Sequence, residues 1–145
     1  MSRNRRKGKQ QRRLKNIAGY LANRLKEDGF IVQRYDSYST NSIYLKLDYG
    51  VCNSIRISDH KGKQHLAYRY NVLSCCPERI AAKDKWGNIK YYFPLTDCDI
   101  LLGAAICDRQ QKIARFGTNG YETIMQKNKE KGMKKKGFWQ KAKLV

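Results

Sequence analysis

Long apolar segments are missing from this sequence. The longest apolar run covers residues 100–107, far short of the roughly 20 residues that cross a bilayer. No apolar segment of a secretory signal follows the basic N-terminus. The five cysteines are an odd number without a CxxC pair, which favours reduced thiols in a cytosol. We therefore expect a cytoplasmic protein with no membrane partner.

Motifs of catalysis and metal binding are also missing. The sequence contains no P-loop, no dinucleotide-binding glycine fingerprint, no HExxH and no zinc-finger spacing. A zinc site formed by His60, His65, Cys75 and Cys76 is an alternative, but the spacing of these residues matches no structural zinc pattern. The leading expectation is a non-enzymatic protein with no metal and no cofactor.

Positive charge is abundant and lies at both ends. The chain has 31 Lys and Arg against 12 Asp and Glu, a net charge of +19. Residues 1–15 contain eight basic side chains and no acid, and residues 127–145 contain eight lysines and one acid. Such ends can simply be solvated arms. A polyanion partner explains them better, because every neutralised phosphate releases condensed counterions. Neither end has the apolar stripe of a membrane-surface helix or a lipidation motif.

The charge distribution predicts a single domain with two tails. A length of 145 residues suits one domain. We expect a basic disordered arm over 1–13, one α+β domain over 14–126, and a Lys-rich flexible tail over 127–145.

Hydrophobic periodicity predicts the order of elements in that domain. Apolar residues recur at three- and four-residue spacing from Leu14 to Leu25, and Gly29 then ends the predicted helix. Phe30, Ile31 and Val32 begin a predicted strand, and with the alternating patterns over 43–72 they predict an antiparallel meander of three or four strands. Residues 79–93 predict a further hairpin. Helical spacing returns after Pro94 and stops at Gly117, with a short helix beyond. The expected fold is α+β: an N-terminal helix, a β-meander of three to five strands, and C-terminal helices on one sheet face.

The sheet face turned away from the helices is the first candidate binding surface. If the alternation holds, this face presents Tyr44, Lys46, Arg56 and Arg69. Aromatic rings and cations on a flat surface suit bases and phosphates. An ordinary solvated sheet face is the alternative interpretation.

The polar segment from residue 37 to residue 60 is the second candidate. Ser39, Asn41, Arg56 and His60 are of types that contact phosphate oxygens. They could equally form turns at strand ends through local hydrogen bonds to the backbone. His60 beside Asp59 could also act as a general acid or base.

Part of the chain resembles a known family. The spacing of Leu21, Leu25 and Gly29-Phe30, followed by a strand, Ser39, two strands and His60, resembles the HicA-type toxins of bacterial toxin–antitoxin pairs. The resemblance covers about residues 14–72 and implies the small α-β-β-β-α fold of double-stranded-RNA-binding domains. It also implies ribonuclease activity, but this chain has Ser39-Thr40-Asn41 where the family has Gly-Ser-His, so the catalytic histidine is missing.

Composition and length also resemble small proteins of phages and mobile elements, including basic anti-CRISPR proteins. This resemblance implies an inhibitor of a CRISPR nuclease that acts in the host cell cytoplasm. A net charge of +19 argues against a DNA mimic. Guide RNA, target DNA or an acidic groove on a protein are the partners it would fit.

The leading hypothesis is a small basic module that binds structured RNA, or RNA or DNA within a ribonucleoprotein effector. The residues predicted to contact nucleic acid are basic, polar or aromatic: Arg3, Arg5, Arg6, Lys7, Lys9, Arg12, Arg13, Ser39, Asn41, Tyr44, Lys46, Arg56, His60, Lys61, Lys63, Arg69, Lys134, Lys135 and Lys136. One alternative is a HicA-like endoribonuclease that uses His60 and Asp59. The other is a protein-binding inhibitor that docks into an acidic groove.

Overall fold

The computed structural model describes residues 2–37, 42–58, 68–70, 80–83, 85–93, 98–134 and 143–145, with side-chain surroundings from residue 13 onward except at 68, 133 and 134. The elements, in chain order, are α1 (Ser2–Glu27), β1 (Val32–Asp36), β2 (Ile43–Leu47), a short 3-10 helix (Asp48–Gly50), β3 (Ser54–Ile57), β4 (Tyr68–Arg69), β5 (Ile80–Lys83), β6 (Ile89–Phe93), α2 (Cys98–Lys134) and β7 (Lys143–Leu144). The protein is an α+β protein, as the sequence predicts.

The strands form one antiparallel sheet. Across the described residues its order is β5-β6-β4-β3-β2-β1-β7. The predicted meander forms β1 to β4, and the predicted second hairpin forms β5 and β6. That hairpin joins the meander where β6 pairs with β4.

Both helices pack on the same face of this sheet. In β2 the side chains of Ile43, Leu45 and Leu47 are buried, whereas Tyr44 and Lys46 are partly exposed. The buried side chains form a core with apolar residues of both helices, namely Leu14, Ala18, Leu21, Ala22 and Leu25 of α1 and Leu101, Leu102, Ala104, Ala105 and Tyr121 of α2. Each fully buried aliphatic side chain contributes about 1.5–3 kcal/mol. The predicted packing of helices on one sheet face is therefore confirmed.

Gly29 ends α1 as the sequence predicts. Its φ of 91° lies in the left-handed region, where a residue with a Cβ is strained. The Gly29 N–H donates to the Lys26 carbonyl, and the Phe30 N–H donates to the Leu25 carbonyl. This pair of bonds is a Schellman motif, which satisfies carbonyls that the helix leaves unpaired. It directs the chain into β1 with Phe30 buried in the core.

The structure differs from the expected boundaries at both ends. Residues 2–13, expected as a disordered arm, continue α1 toward the N-terminus. Residues 127–134, expected in the flexible tail, continue α2, and β7 pairs with β1. Arg, Lys and Gln are good helix formers, and a single glycine such as Gly132 costs a helix only about 1 kcal/mol. Charge density alone therefore does not mark these stretches as unstructured.

Gly117 interrupts α2. Its φ of 76° and ψ of 161° break the helix into two segments, which confirms the predicted helix end. The second segment reaches Lys134, whereas the sequence analysis expects only a short helix there. The break brings Tyr121, on the second segment, back into the core.

A buried polar cluster attaches α2 to the sheet; we call Asp48, Cys52, Arg109 and Tyr121 the Asp48 cluster. Asp48 is fully buried. Its Oδ1 accepts a hydrogen bond from the Ile31 N–H at 2.9 Å, and its Oδ2 accepts one from the Tyr121 hydroxyl. Arg109 Nε lies 3.1 Å from the same Oδ2. The carboxylate thus ties the chain before β1 to both segments of α2.

Burial keeps two other members of the cluster neutral. Burial raises the pKa of the Cys52 thiol to about 11. It also raises the pKa of the Tyr121 hydroxyl, and the hydrogen bond that this group donates to Asp48 adds to the effect. Cys52 Sγ lies 3.0 Å from the Tyr121 oxygen. The paired charges within the cluster are therefore those of Asp48 and Arg109.

Replacing the buried tyrosine tests the role of this cluster. Tyr121→Phe removes the hydroxyl and leaves the buried Asp48 carboxylate without one of its hydrogen-bond donors. We therefore expect the free energy of unfolding to fall by about 1–3 kcal/mol. Tyr20→Phe is the matched control, because Tyr20 is 55% exposed. Urea denaturation followed by circular dichroism measures both. Equal stability of the two variants would show that the cluster does not hold α2 in place.

Candidate functional site

The sheet face opposite the helices presents one continuous row of paired residues. The register pairs Tyr35 with Tyr44, Tyr44 with Arg56, Arg56 with Arg69, and Arg69 with Tyr92. Directly paired residues point to the same face, so we call these five residues the outer row. It crosses five neighbouring strands, a width of about 19 Å at the usual spacing between strands. The sheet therefore sets cations between aromatic residues in a fixed order.

A second, shorter row lies beside it. Lys46 pairs with Gln33 on one side and with Ser54 on the other. Burial lowers the pKa of the Lys46 ammonium group, because desolvation disfavours the charged form. Together with the outer row, this places Tyr44, Lys46, Arg56 and Arg69 on the face for which the sequence alternation predicts them.

Gln33 and Tyr35 also lie on this face, where the sequence pattern did not predict them. Gln33 and Tyr35 alternate with the buried Val32, and this alternation would predict them on the outer face. Arg34 obscures the pattern, because a charged residue occupies the next position on the core side. Arg34 is accommodated there because its Nε pairs with Asp36 Oδ1 at 2.8 Å. One charged residue at the edge of the core was enough to obscure the strand pattern.

The pair Arg56–Arg69 is the distinctive electrostatic feature of the outer row. The two arginines lie directly opposite each other on neighbouring strands, and both are partly exposed. Like charges in this position destabilise a sheet. Arg56 Nε donates to Ser42 Oγ at 3.2 Å, which orients the guanidinium but does not neutralise it. Among the described side chains, no carboxylate forms a salt bridge with either arginine. An anion is therefore the ligand that this pair suits.

Aromatic rings lie next to the arginine pair. The Tyr35 and Tyr44 ring centroids are 6.5 Å apart with the planes tilted by 39°. Tyr92, at the other end of the row, is buried. Tyr35 and Tyr44 are partly exposed, and rings at the edge of a cationic surface give a planar ligand a place to stack while its charge is neutralised.

The remaining predicted site residues fall into three groups. Arg3, Arg5, Arg6, Lys7, Lys9, Arg12 and Arg13 lie in α1, which packs against the core-side face of the sheet. Lys134 is the last residue of α2. The others, with the alternative catalytic Asp59, lie outside the described residues: Ser39, Asn41, Asp59, His60, Lys61, Lys63, Lys135 and Lys136.

The two ends of the polar segment 37–60 lie close together as far as the structure describes them. Ile43 pairs with Ile57, so Ser42 and Ser58 are the next residues in the same register. Both serines are buried. The Ser42 carbonyl also accepts a hydrogen bond from the Ser37 N–H at 3.0 Å, which joins the end of β1 to the start of β2.

Within the described ranges, no group of three His, Cys, Asp or Glu residues could hold a metal ion. In those same ranges no helix has the length and apolar character needed to cross a bilayer. The zinc candidates named from the sequence, His60, His65, Cys75 and Cys76, lie outside the described residues.

Comparison with protein families, with curated proteins and with solved structures found no match to this chain. The resemblance to HicA-type toxins and to basic anti-CRISPR proteins stays a prediction from the sequence.

The arginine pair predicts a measurable repulsion. In a double-mutant cycle of Arg56→Gln and Arg69→Gln, we expect an unfavourable coupling of about 0.2–1 kcal/mol between the two cations. The double-mutant cycle cancels the contribution of the Arg56–Ser42 hydrogen bond, because Arg56→Gln removes that bond whether or not Arg69 is present. Urea denaturation at low and high salt measures the coupling, which should shrink as salt screens the charges. A favourable coupling, or one independent of salt, would contradict this account of the face.

Proposed function

We propose that the protein is a non-enzymatic binding module for nucleic acid, with the outer row as part of its docking surface. The observation that carries the proposal is the arginine pair Arg56–Arg69, which no described carboxylate neutralises. A phosphate group between two such cations relieves their repulsion and accepts hydrogen bonds from both. The face therefore becomes more stable when a polyanion binds.

The overall charge supports the same partner. A net charge of +19 attracts a polyanion over long range and speeds association. The first turn of α1 contains no acid, so the positive end of the helix dipole is not compensated there. The basic N-terminal half of α1 therefore adds attraction beyond that of the outer row.

Relative magnitudes decide which interaction sets affinity. Stacking of a base on an aromatic ring contributes about 1–3 kcal/mol. Contact with about six to ten phosphates changes affinity by roughly 10³–10⁵-fold between about 50 and 200 mM salt, which is a larger effect. We therefore assign most of the affinity to charge and assign orientation to the rings.

Salt titration tests this function. We expect the affinity for an RNA or DNA oligonucleotide to fall steeply with salt, and Arg56→Gln or Arg69→Gln to lower the slope by about 0.7–0.9 each. Arg115→Gln is the matched control, because it removes the same charge from an exposed position on α2, on the helix side of the sheet. Fluorescence anisotropy measures all four proteins.

Three outcomes would contradict the proposal or its details. Affinity that stays flat with salt would exclude a phosphate-binding surface. Equal slopes for the three variants would move the site away from the outer row. Cleavage of the RNA that His60→Ala abolishes would instead favour the ribonuclease hypothesis.

The two hypotheses with a protein partner use the same reagents. If the target is nucleic acid inside a ribonucleoprotein effector, as for an inhibitor of a CRISPR nuclease, nuclease treatment should release the protein from it. If the basic surface docks into an acidic protein groove, the complex should survive that treatment.

A further inference from the structure

The hairpin of β5 and β6 ends in an exposed tryptophan. Lys83 pairs with Ile89, residues 85–88 lie in the turn between them, and Gly87 has a φ of 82°. Trp86 is 74% exposed, and Ile89 is also exposed. The Trp86 side chain therefore lies in the hairpin turn and outside the core. A ring exposed to this extent is accessible to a ligand.

Cations surround this tip. Residues 83–90 contain three lysines and a single acid, Asp84. Lys83 and Lys85 are exposed, and Lys85 Nζ lies 4.4 Å from the centroid of the Trp86 ring. An ammonium group at that distance interacts with the ring through a cation–π contact. The tip therefore offers a ligand an aromatic surface and positive charge together.

The tip is connected to the outer row along β6. Lys90 and Tyr92 are two residues apart in one strand, so they lie on the same face, and Tyr92 is a member of the outer row. Tyr92 lies four positions after Asn88 of the turn, a distance of about 13 Å in a strand. A nucleic-acid strand bound along the outer row thus needs only a few further nucleotides to reach Trp86.

We propose that Trp86 stacks on an unpaired base of a nucleic-acid strand that also contacts the outer row. This inference rests on the proposed function and specifies its ligand as single-stranded, or as an unpaired segment of a folded RNA. Inside a duplex the faces of the bases are already stacked on each other, whereas in a single strand they are available to an aromatic side chain. The lysines at the tip favour this ligand over an apolar peptide.

The test compares two ligands of similar charge. A single-stranded oligonucleotide of about 12 nucleotides and a blunt duplex of similar phosphate number both suit the cationic surface, but only the first offers free base faces. We expect Trp86→Ala to weaken binding of the single strand by about 5- to 150-fold. Its affinity for the duplex and its salt slope should be nearly unchanged, because no phosphate contact is lost.

Phe116→Ala is the matched control. Phe116 is also an exposed aromatic, 42% exposed, with the Arg115 guanidinium 5.3 Å from its ring centroid. It lies on α2, on the helix side of the sheet, so its removal should leave the affinity for both ligands unchanged. Trp86→Phe should keep part of the single-strand affinity, which a purely structural role in the turn would not explain.

Fluorescence gives a direct readout of stacking. The chain has two tryptophans, Trp86 and Trp139, so Trp139→Phe leaves Trp86 as the only indole. Provided this variant binds the oligonucleotide as the wild type does, stacking should quench its emission on addition of the single strand. The duplex should quench it much less.

Failure of this inference and failure of the proposed function are distinguishable. If no oligonucleotide binds at low salt, the proposed function is wrong. If both ligands bind with a steep salt slope but Trp86→Ala behaves like Phe116→Ala, the stacking role is wrong and the proposed function stands. If Trp86→Ala weakens only a complex with a protein partner, and that complex survives nuclease treatment, the tip contacts a protein and the inference is overturned.

Discussion

Both helices pack on one face of the sheet, and the rest of the structure depends on that one-sided burial. Alternation along β2 sends Ile43 and Leu45 into the core, so Tyr44 and Lys46 must face the other way. A helix on the second face would require apolar residues there. Neither described helix packs on that face, where the paired residues of the outer row are cationic and aromatic, and the Asp48 cluster fixes α2 on the first.

The outer row combines two interactions of different strength. Opposed arginines reduce the stability of the free protein by a small amount, and in the proposed function their neutralisation by phosphate favours the bound state. Aromatic groups add little to long-range attraction, but they distinguish exposed bases from a closed duplex. In this account the charge brings a nucleic acid to the surface, while Trp86 at the hairpin tip selects strands with unpaired bases.

Local patterns predicted much of the fold. The alternation over 43–47 and the glycine at position 29 identified β2 and the end of α1, because each depends on a few neighbouring residues. The Asp48 cluster could not be predicted, since its members lie in a turn and in both segments of α2 and meet only through tertiary packing. The helical state of residues 2–13 was missed because charge repulsion was given more weight than the helix propensity of Arg, Lys and Gln. The exposure of Trp86 depends on which residues pack near the hairpin turn, which periodicity does not report.

Chemical-shift mapping by NMR tests the central claim most directly, because it locates a bound oligonucleotide residue by residue. Titration of a single strand into isotope-labelled protein should shift the signals of Tyr35, Tyr44, Arg56 and Arg69, together with the indole N–H of Trp86. Signals of the first segment of α2, on the other side of the sheet, should stay in place. Shifts confined to that segment, with the outer row unchanged, would contradict the assignment of the binding surface.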